Sequence, residues 1–220
     1  IVAQKYGINK EDVQLLWRWS DRADALTYYS RADVQEAIYS YVQGRCVLLE
    51  GMDEYLTLNA PSDVFALAAY TVGAGTVPAF RCTNARYDPE SGRMTACDVV
   101  IQVDNELSSS VTLLFRACNM PSFVLYSGGA YLYIVIPFGL LEAGIAMKSP
   151  LSRLSNLVEA FNRFLKRMLK SSMGIRLSLY ESSSPIPYSL ADDGERINLP
   201  VRLDEVSRLS PDMARVTAVG

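Results

Sequence analysis

There is no histidine anywhere in the 220 residues of this chain. That removes the side chain most often used for proton transfer near neutral pH and the imidazole that completes many zinc sites. The four cysteines, Cys46, Cys82, Cys97 and Cys118, form no C-x-x-C pair, which leaves no ligand spacing for a zinc ribbon. They are expected as buried or half-buried thiols in a reducing cytoplasm. No apolar run reaches about 18 residues, the length of a membrane-spanning helix. The longest, from Phe123 to Leu141, is interrupted by Ser127-Gly128-Gly129 and by Pro137, and reads as two strands. No membrane partner is therefore expected, and no secretory leader pattern precedes the first predicted helix. Repeats, low-complexity tracts and long Gly/Pro/Ser linkers are all missing. A net charge of −3 argues against strong general affinity for nucleic acid.

What the chain has in quantity is apolar residues, half of the total, enough for a sizeable core. Asn9 reads as the N-cap of a helix reaching about Ala25. Ser30 with Asp33 reads as a variant capping box for a second helix that Gly44 ends. Arg45 to Glu50 follows as a strand, and Pro61-Ser62 opens a third helix closing near Gly73. From Pro78 the pattern changes to strands: Pro78–Thr83, Cys97–Asp104, Ser122–Tyr126 and Tyr131–Pro137, with a short helix around Ser110–Cys118. Leu154, Leu157, Val158, Phe161, Phe164, Leu165 and Met168 recur at helical spacing, which predicts a long helix from about Leu151 to Ser172 with Gly174 capping it. Strands near Ile175–Tyr180 and Arg196–Val201 end the pattern. Alternating helices and strands predict an α/β or α+β layer architecture.

Three segments stand in a telling order. The first is Cys97-Asp98-Val99-Val100-Ile101-Gln102-Val103-Asp104. The second is Ser127-Gly128-Gly129-Ala130-Tyr131-Leu132-Tyr133-Ile134, and the third is Pro187-Tyr188-Ser189-Leu190-Ala191. In that order they resemble the small catalytic subunit of archaeal and eukaryotic-type DNA primases. That family has an Asp-x-Asp strand, then Ser-Gly-x-x-Gly-x-His-Ile, then Arg-x-Pro-x-Ser-Leu-His. Tyr28 to Ile38 with Gly44-Arg45, and Ala85-Arg86-Tyr87-Asp88-Pro89, extend the similarity from about residue 28 to 201. The resemblance implies a primase-polymerase fold, an RRM-like sheet module packed against a second α/β module. It implies one small-subunit-like domain over 1–220: an N-terminal helix to about 27, an N-terminal module at 28–95, the RRM-like module at 96–201 and a tail at 202–220.

The resemblance also shows what this chain has lost. Templated nucleotide addition uses two metal ions about 4 Å apart, held by carboxylates. The first strand aspartate of the family is Gln102 here, leaving Asp104 alone, and an amide is a poor carboxylate substitute around Mg²⁺. The third aspartate falls at or beside Leu179. The motif histidine is Tyr133, and the last Arg and His positions are Pro185 and Ala191. Ser127, Gly128 and Gly129 remain as a turn whose backbone N–H groups can approach a phosphate, or as a plain hairpin turn. A displaced metal pair is the counter-reading: Asp98, Gln102, Asp104 and Glu106 alternate onto one strand face, so Asp104 and Glu106, with Glu181 nearby, would hold Mg or Mn.

Two further features concern partners. Arg163, Lys166, Arg167 and Lys170 lie at i, i+3, i+4 and i+7, a basic stripe that reads either as solvated cations or as a contact to nucleic acid or an acidic surface. Trp17 and Trp19 sit about 200° apart on the first predicted helix, so one indole is expected at an interface or under the preceding segment. The expectation is a degenerate relative of the primase small subunit, not itself an enzyme and without a cofactor, that works as a non-catalytic subunit or scaffold in DNA replication. Its expected partners are the primase large or catalytic small subunit or another replisome protein, with weak single-stranded DNA binding at most. Two alternatives stay open: an active polymerase on the displaced Asp104/Glu106 site, and a stand-alone single-strand DNA or nucleotide-binding protein.

Overall fold

The computed structural model describes residues 23–49, 55–75, 79–137, 150–169, 175–178, 183–191 and 194–214. Two antiparallel sheets organise them. The second is built as β6 (Val99–Asp104), α4 (Ser108–Ala117), β7 (Phe123–Tyr126), β8 (Tyr131–Ile136), α5 (Pro150–Leu169) and β9 (Ile175–Ser178). This β-α-β-β-α-β order pairs as β7-β8-β6-β9, with β11 (Leu199–Val201) added beside β7. That is the RRM-like module of the predicted architecture. The strands alternate in register with their burial. Val99, Ile101 and Val103 face one way with Leu132, Ile134 and Val124, and that side holds the core under the two helices, with Phe115, Phe161 and Leu165. Val100, Leu125 and Val135 face the other way with Phe123 and Tyr133.

The first module carries α1 (Ala23–Ser30), α2 (Ala32–Val42) and α3 (Ser62–Gly73). Its sheet runs β10-β3-β1-β2, from Ser183–Pro185, Phe80–Thr83, Val47–Leu49 and Tyr55–Leu56. A separate pair, β4 (Ala85–Tyr87) with β5 (Met94–Cys97), leads into β6. Val34, Ile38 and Val42 recur on one side of α2 and are buried against Val64, Leu67 and Ala68 of α3. The short strand at 183–185 returns the chain to this first sheet after β9. The chain then crosses back at β11, so the two modules are stitched together twice.

Several local expectations need correction. The helix α1 runs past Ala25 to Ser30, and Arg31, extended at φ −71 and ψ 131, is the N-cap of α2. Ser30 does not cap: its hydroxyl donates to the Thr27 carbonyl at 2.6 Å, while Asp33 pairs with Arg31. Gly44 does end α2, at φ +77. The strand predicted from Cys97 to Asp104 breaks at Asp98, whose side chain turns inward. Phe164 and Met168, read as core positions of the long helix, are 41% and 55% exposed, because Phe161 and Leu165 already occupy the sector facing the sheet. Cys118 is exposed rather than buried, since it lies at the C-terminal end of α4 beyond the last core residue. Burial holds the thiols of Cys82 and Cys97 protonated, raising each pKa to about 11. The predicted helix from Asn9, with Trp17 and Trp19, falls outside the described residues apart from its last turn, as does Gly174. Among the described residues, no helix is long and apolar enough to cross a membrane.

Candidate functional site

A cleft of about 260 Å³ opens where the β7–β8 hairpin of the RRM-like sheet meets the edge of the first sheet. Five of the sequence-singled positions meet there: Ser127, Gly129, Tyr133, Pro185 and Ala191. They come from two stretches of chain more than fifty residues apart, so their convergence is a product of the fold. Gln102 stands directly opposite Tyr133 in the β6–β8 register, and Asp104 opposite Tyr131. The alternation of β6 turns Gln102 and Asp104 to the same side as Tyr133, the side away from α4 and α5. Arg176 of β9 is the register partner of Gln102 on the other flank.

The Ser127–Ala130 turn is held from both sides. Asn105, just after β6, donates its side-chain amide to the Gly129 carbonyl and its backbone N–H to the Ala130 carbonyl. Arg196 donates Nη1 to the Gly128 carbonyl at 3.0 Å. Gly128 has φ +74, and a Cβ there would meet the Pro211 carbonyl oxygen at 3.1 Å and the Arg196 side chain at 3.0 Å. Only glycine combines that left-handed backbone with so close an approach.

The Pro187–Ala191 stretch is fixed by hydrogen bonds within the protein. Ser189 is buried, donates to the Ile186 carbonyl and accepts from the Asn198 side-chain amide at 3.1 Å. Asn198 also donates to the carbonyls of Ser189 and Leu190. The Leu190 N–H donates to the phenol oxygen of Tyr29 at 2.7 Å, and the Tyr28 hydroxyl donates to the Tyr188 carbonyl. Burial pushes the pKa of both tyrosines upward, so both phenols remain neutral donors and acceptors. The motif thus sets the cleft wall, where Leu190, Ala191 and Asn198 present themselves.

Arg81 is the charged side chain lining this cleft, and sequence reading missed it. Its Nε donates to the Ser183 hydroxyl and its Nη2 to the Ser183 carbonyl, so β10 holds the guanidinium in place. The signal was present: an arginine interrupts the apolar strand Pro78-Ala79-Phe80-Arg81-Cys82. Its partner strand lies about a hundred residues on and carries no helical or alternating pattern that would have linked the two.

The carboxylates tell a different story. Asp98 stands where the chain breaks between β5 and β6. It is buried against Arg45, which also donates to the Thr83 and Asn84 carbonyls and lies 4.4 Å from the centre of the Tyr41 ring. Desolvation alone would lower the Arg45 pKa, but Tyr41, Cys82 and Asp98 outweigh it and raise it. Glu106 lies in the 3-10 turn Asn105–Leu107, where the strand alternation has ended, so it does not continue the face of Asp104. Leu179, Glu181 and Lys170 lie outside the described residues. Among the described residues, no three His, Cys, Asp or Glu side chains stand together as a metal cluster. Among the described residues the β6 face offers one carboxylate and one amide, fewer carboxylates than a two-metal centre uses.

The basic stripe of α5 lies elsewhere. Phe161 and Leu165 pack on the opposite side of the RRM-like sheet from the cleft. Arg163, Lys166 and Arg167 are exposed, with Glu159 3.9 Å from Arg163.

No protein-family model and no curated protein matches this chain. Among solved structures it is similar to the polymerase domain of Ligase D from Mycobacterium tuberculosis in complex with DNA. The TM-score is 0.59 at 15% identity, covering 90% of this chain and 88% of that one. At such identity the likeness establishes the fold: this chain has a primase-polymerase fold, a mixed α/β architecture with antiparallel sheets.

Proposed function

We propose that this protein is a relative of the primase small subunit that works as a non-catalytic subunit or scaffold in primer synthesis or DNA replication. The observation that carries the reading is the content of the cleft. The positions that resemble the catalytic motifs of that family converge there or beside it, and they are Gln102, Tyr133, Pro185 and Ala191 instead of carboxylate, imidazole and cation. What remains at those positions is mainly packing and hydrogen bonding that shapes the domain. The similar Ligase D polymerase domain, bound to DNA, supports a role close to DNA synthesis. The partners are the primase large or catalytic small subunit, or another replisome protein, in the cytoplasm. No cofactor is needed.

The second reading is a nucleotide or single-strand binder without turnover. It rests on Arg81 and the Ser127–Ala130 turn lining one cleft, a cation and a glycine turn whose combination suits one phosphate group. The third, an active enzyme on Asp104 and Glu106, has less support, because Glu106 leaves the strand in the 3-10 turn.

Reconstitution distinguishes these. The chain is added to a catalytic small subunit and large subunit from its own host, and primer yield or length is measured with wild type and with Asp104→Ala. The scaffold reading expects a stable complex and an effect on yield or length that Asp104→Ala leaves unchanged. Absence of any complex with either subunit, or an effect abolished by Asp104→Ala, overturns it.

A further inference from the structure

The exposed side of α5 has a composition that solvation alone does not explain. Phe161, Leu165 and Leu169 face the sheet core. At about 100° per residue, Met168 and then Phe164 follow that buried sector around the helix, and Arg167 and Arg163 come next. Phe164 and Met168 are 41% and 55% exposed and lie one turn apart, so they form a short apolar ridge. The Phe164 ring is not loose on the surface. It stacks on Phe161 with centroids 6.2 Å apart and planes 21° apart, and Phe161 packs edge-on against Phe115 at 5.8 Å. The ridge is therefore held in place before any partner arrives.

Charge narrows what could cover it. Between residues 159 and 169 the helix carries Arg163, Lys166 and Arg167 against Glu159 alone, a local excess of positive charge on a chain whose net charge is −3. Arg167 and Arg163 border the ridge on its outer side, about 60° and 100° beyond Phe164. A partner that desolvates Phe164 and Met168 must bring apolar side chains to the ridge and carboxylates to its border. Nucleic acid satisfies the cations and can stack a base on Phe164, whereas a protein helix laid alongside meets both apolar anchors, Phe164 and Met168, one turn apart along its own axis. The sheet also separates this surface from the cleft, so a strand bound in the cleft would not run along it.

We propose that this face of α5 docks an acidic amphipathic helix of a partner protein, laid alongside α5 with apolar residues on Phe164 and Met168 and carboxylates against Arg163 and Arg167. The mode is helix-on-helix recognition read through i and i+4 anchors. It does not depend on the fate of the cleft, since a catalytically active chain would present the same surface.

The test uses the full chain and a labelled helical peptide of about four turns, with leucines along one face and glutamates flanking them. Its affinity is read by fluorescence anisotropy beside a matched peptide with lysine for glutamate and beside oligo(dT). The glutamate peptide is expected to bind and the lysine peptide is not. Phe164→Ser with Met168→Ser should weaken binding about tenfold or more, and so should Arg163→Glu with Arg167→Glu. Circular dichroism checks that each variant is folded. If the serine pair fails to fold, Met168→Gln alone, at the more exposed position, should still weaken binding several-fold. Glutamate-peptide affinity unchanged in the folded variants overturns the proposal. So does oligo(dT) binding that the arginine reversal abolishes while the glutamate peptide does not bind, which would assign the stripe to nucleic acid.

Discussion

Arg45 and Asp98 lie 53 positions apart in sequence and form one buried ion pair. From sequence, Asp98 alternates with Gln102, Asp104 and Glu106 and reads as one of four positions on a single strand face. The strand instead breaks at Asp98, where its N–H donates to the Asn84 carbonyl at 2.8 Å and its carboxylate turns toward Arg45. Nothing in local periodicity marks that break, because the guanidinium that demands the carboxylate arrives from another module. Removing one partner of a buried pair strands the other charge in a medium that solvates it poorly, at a cost of about 3–5 kcal/mol. Asp98→Ala should therefore lower the urea midpoint strongly, while Asp104→Ala, at a half-buried strand end, should change it little. Equal midpoints for the two variants would show that the pair is not what ties this corner together. Cys118 carries the opposite lesson. Sequence composition suggested a buried thiol, but its position past the last core residue of α4 leaves it in solvent.

At the scale of elements, most of the RRM-like module was legible. Val99 to Val103 alternates faces, the run before Ser127-Gly128-Gly129 and the run after it read as a hairpin, and the spacing of Phe161 and Leu165 gave the long helix. Elements of two or three residues were not legible. The strands at Tyr55–Leu56 and Ser183–Pro185 are too short to carry a period, and their pairing is fixed by partners far along the chain. The apolar stripe of α5 was read too broadly, since hydrophobic spacing cannot tell a side chain facing a sheet from one on the shoulder of that face. The hairpin turn itself yields a sharp expectation. Gly128→Ala places a side chain at φ +74 and against the Pro211 carbonyl, so it should destabilise by about 1–3 kcal/mol. Thermal unfolding would report it. Gly92→Ala also forces a positive φ but meets nothing within 4 Å, and serves as the reference for backbone strain alone. If both substitutions cost the same, the close packing of the turn against Pro211 and Arg196 contributes nothing.

For the whole molecule, the sequence resemblance anticipated the primase-polymerase fold, yet it could not supply Arg81 or its anchoring by Ser183. Those depend on a strand that leaves one sheet for the other. The double crossing, the Arg45–Asp98 pair and the Tyr41–Phe123 ring contact all bind the two modules together. One cooperative unfolding transition is therefore expected, with intrinsic fluorescence and far-ultraviolet circular dichroism coinciding in urea. Two separated midpoints would mean that the modules unfold independently. Gly128, Ser189 and Asn198 belong to the same integration, holding the domain in shape through the packing of the hairpin turn and the hydrogen bonds of the 187–191 stretch. The central claim, that the cleft holds a shape and not a chemistry, is tested most directly by primer extension. The purified chain is given a primed template, nucleoside triphosphates and Mg²⁺ or Mn²⁺, with Asp104→Ala in parallel. The account predicts no template-dependent product above background from either protein; product from wild type that Asp104→Ala abolishes would contradict it.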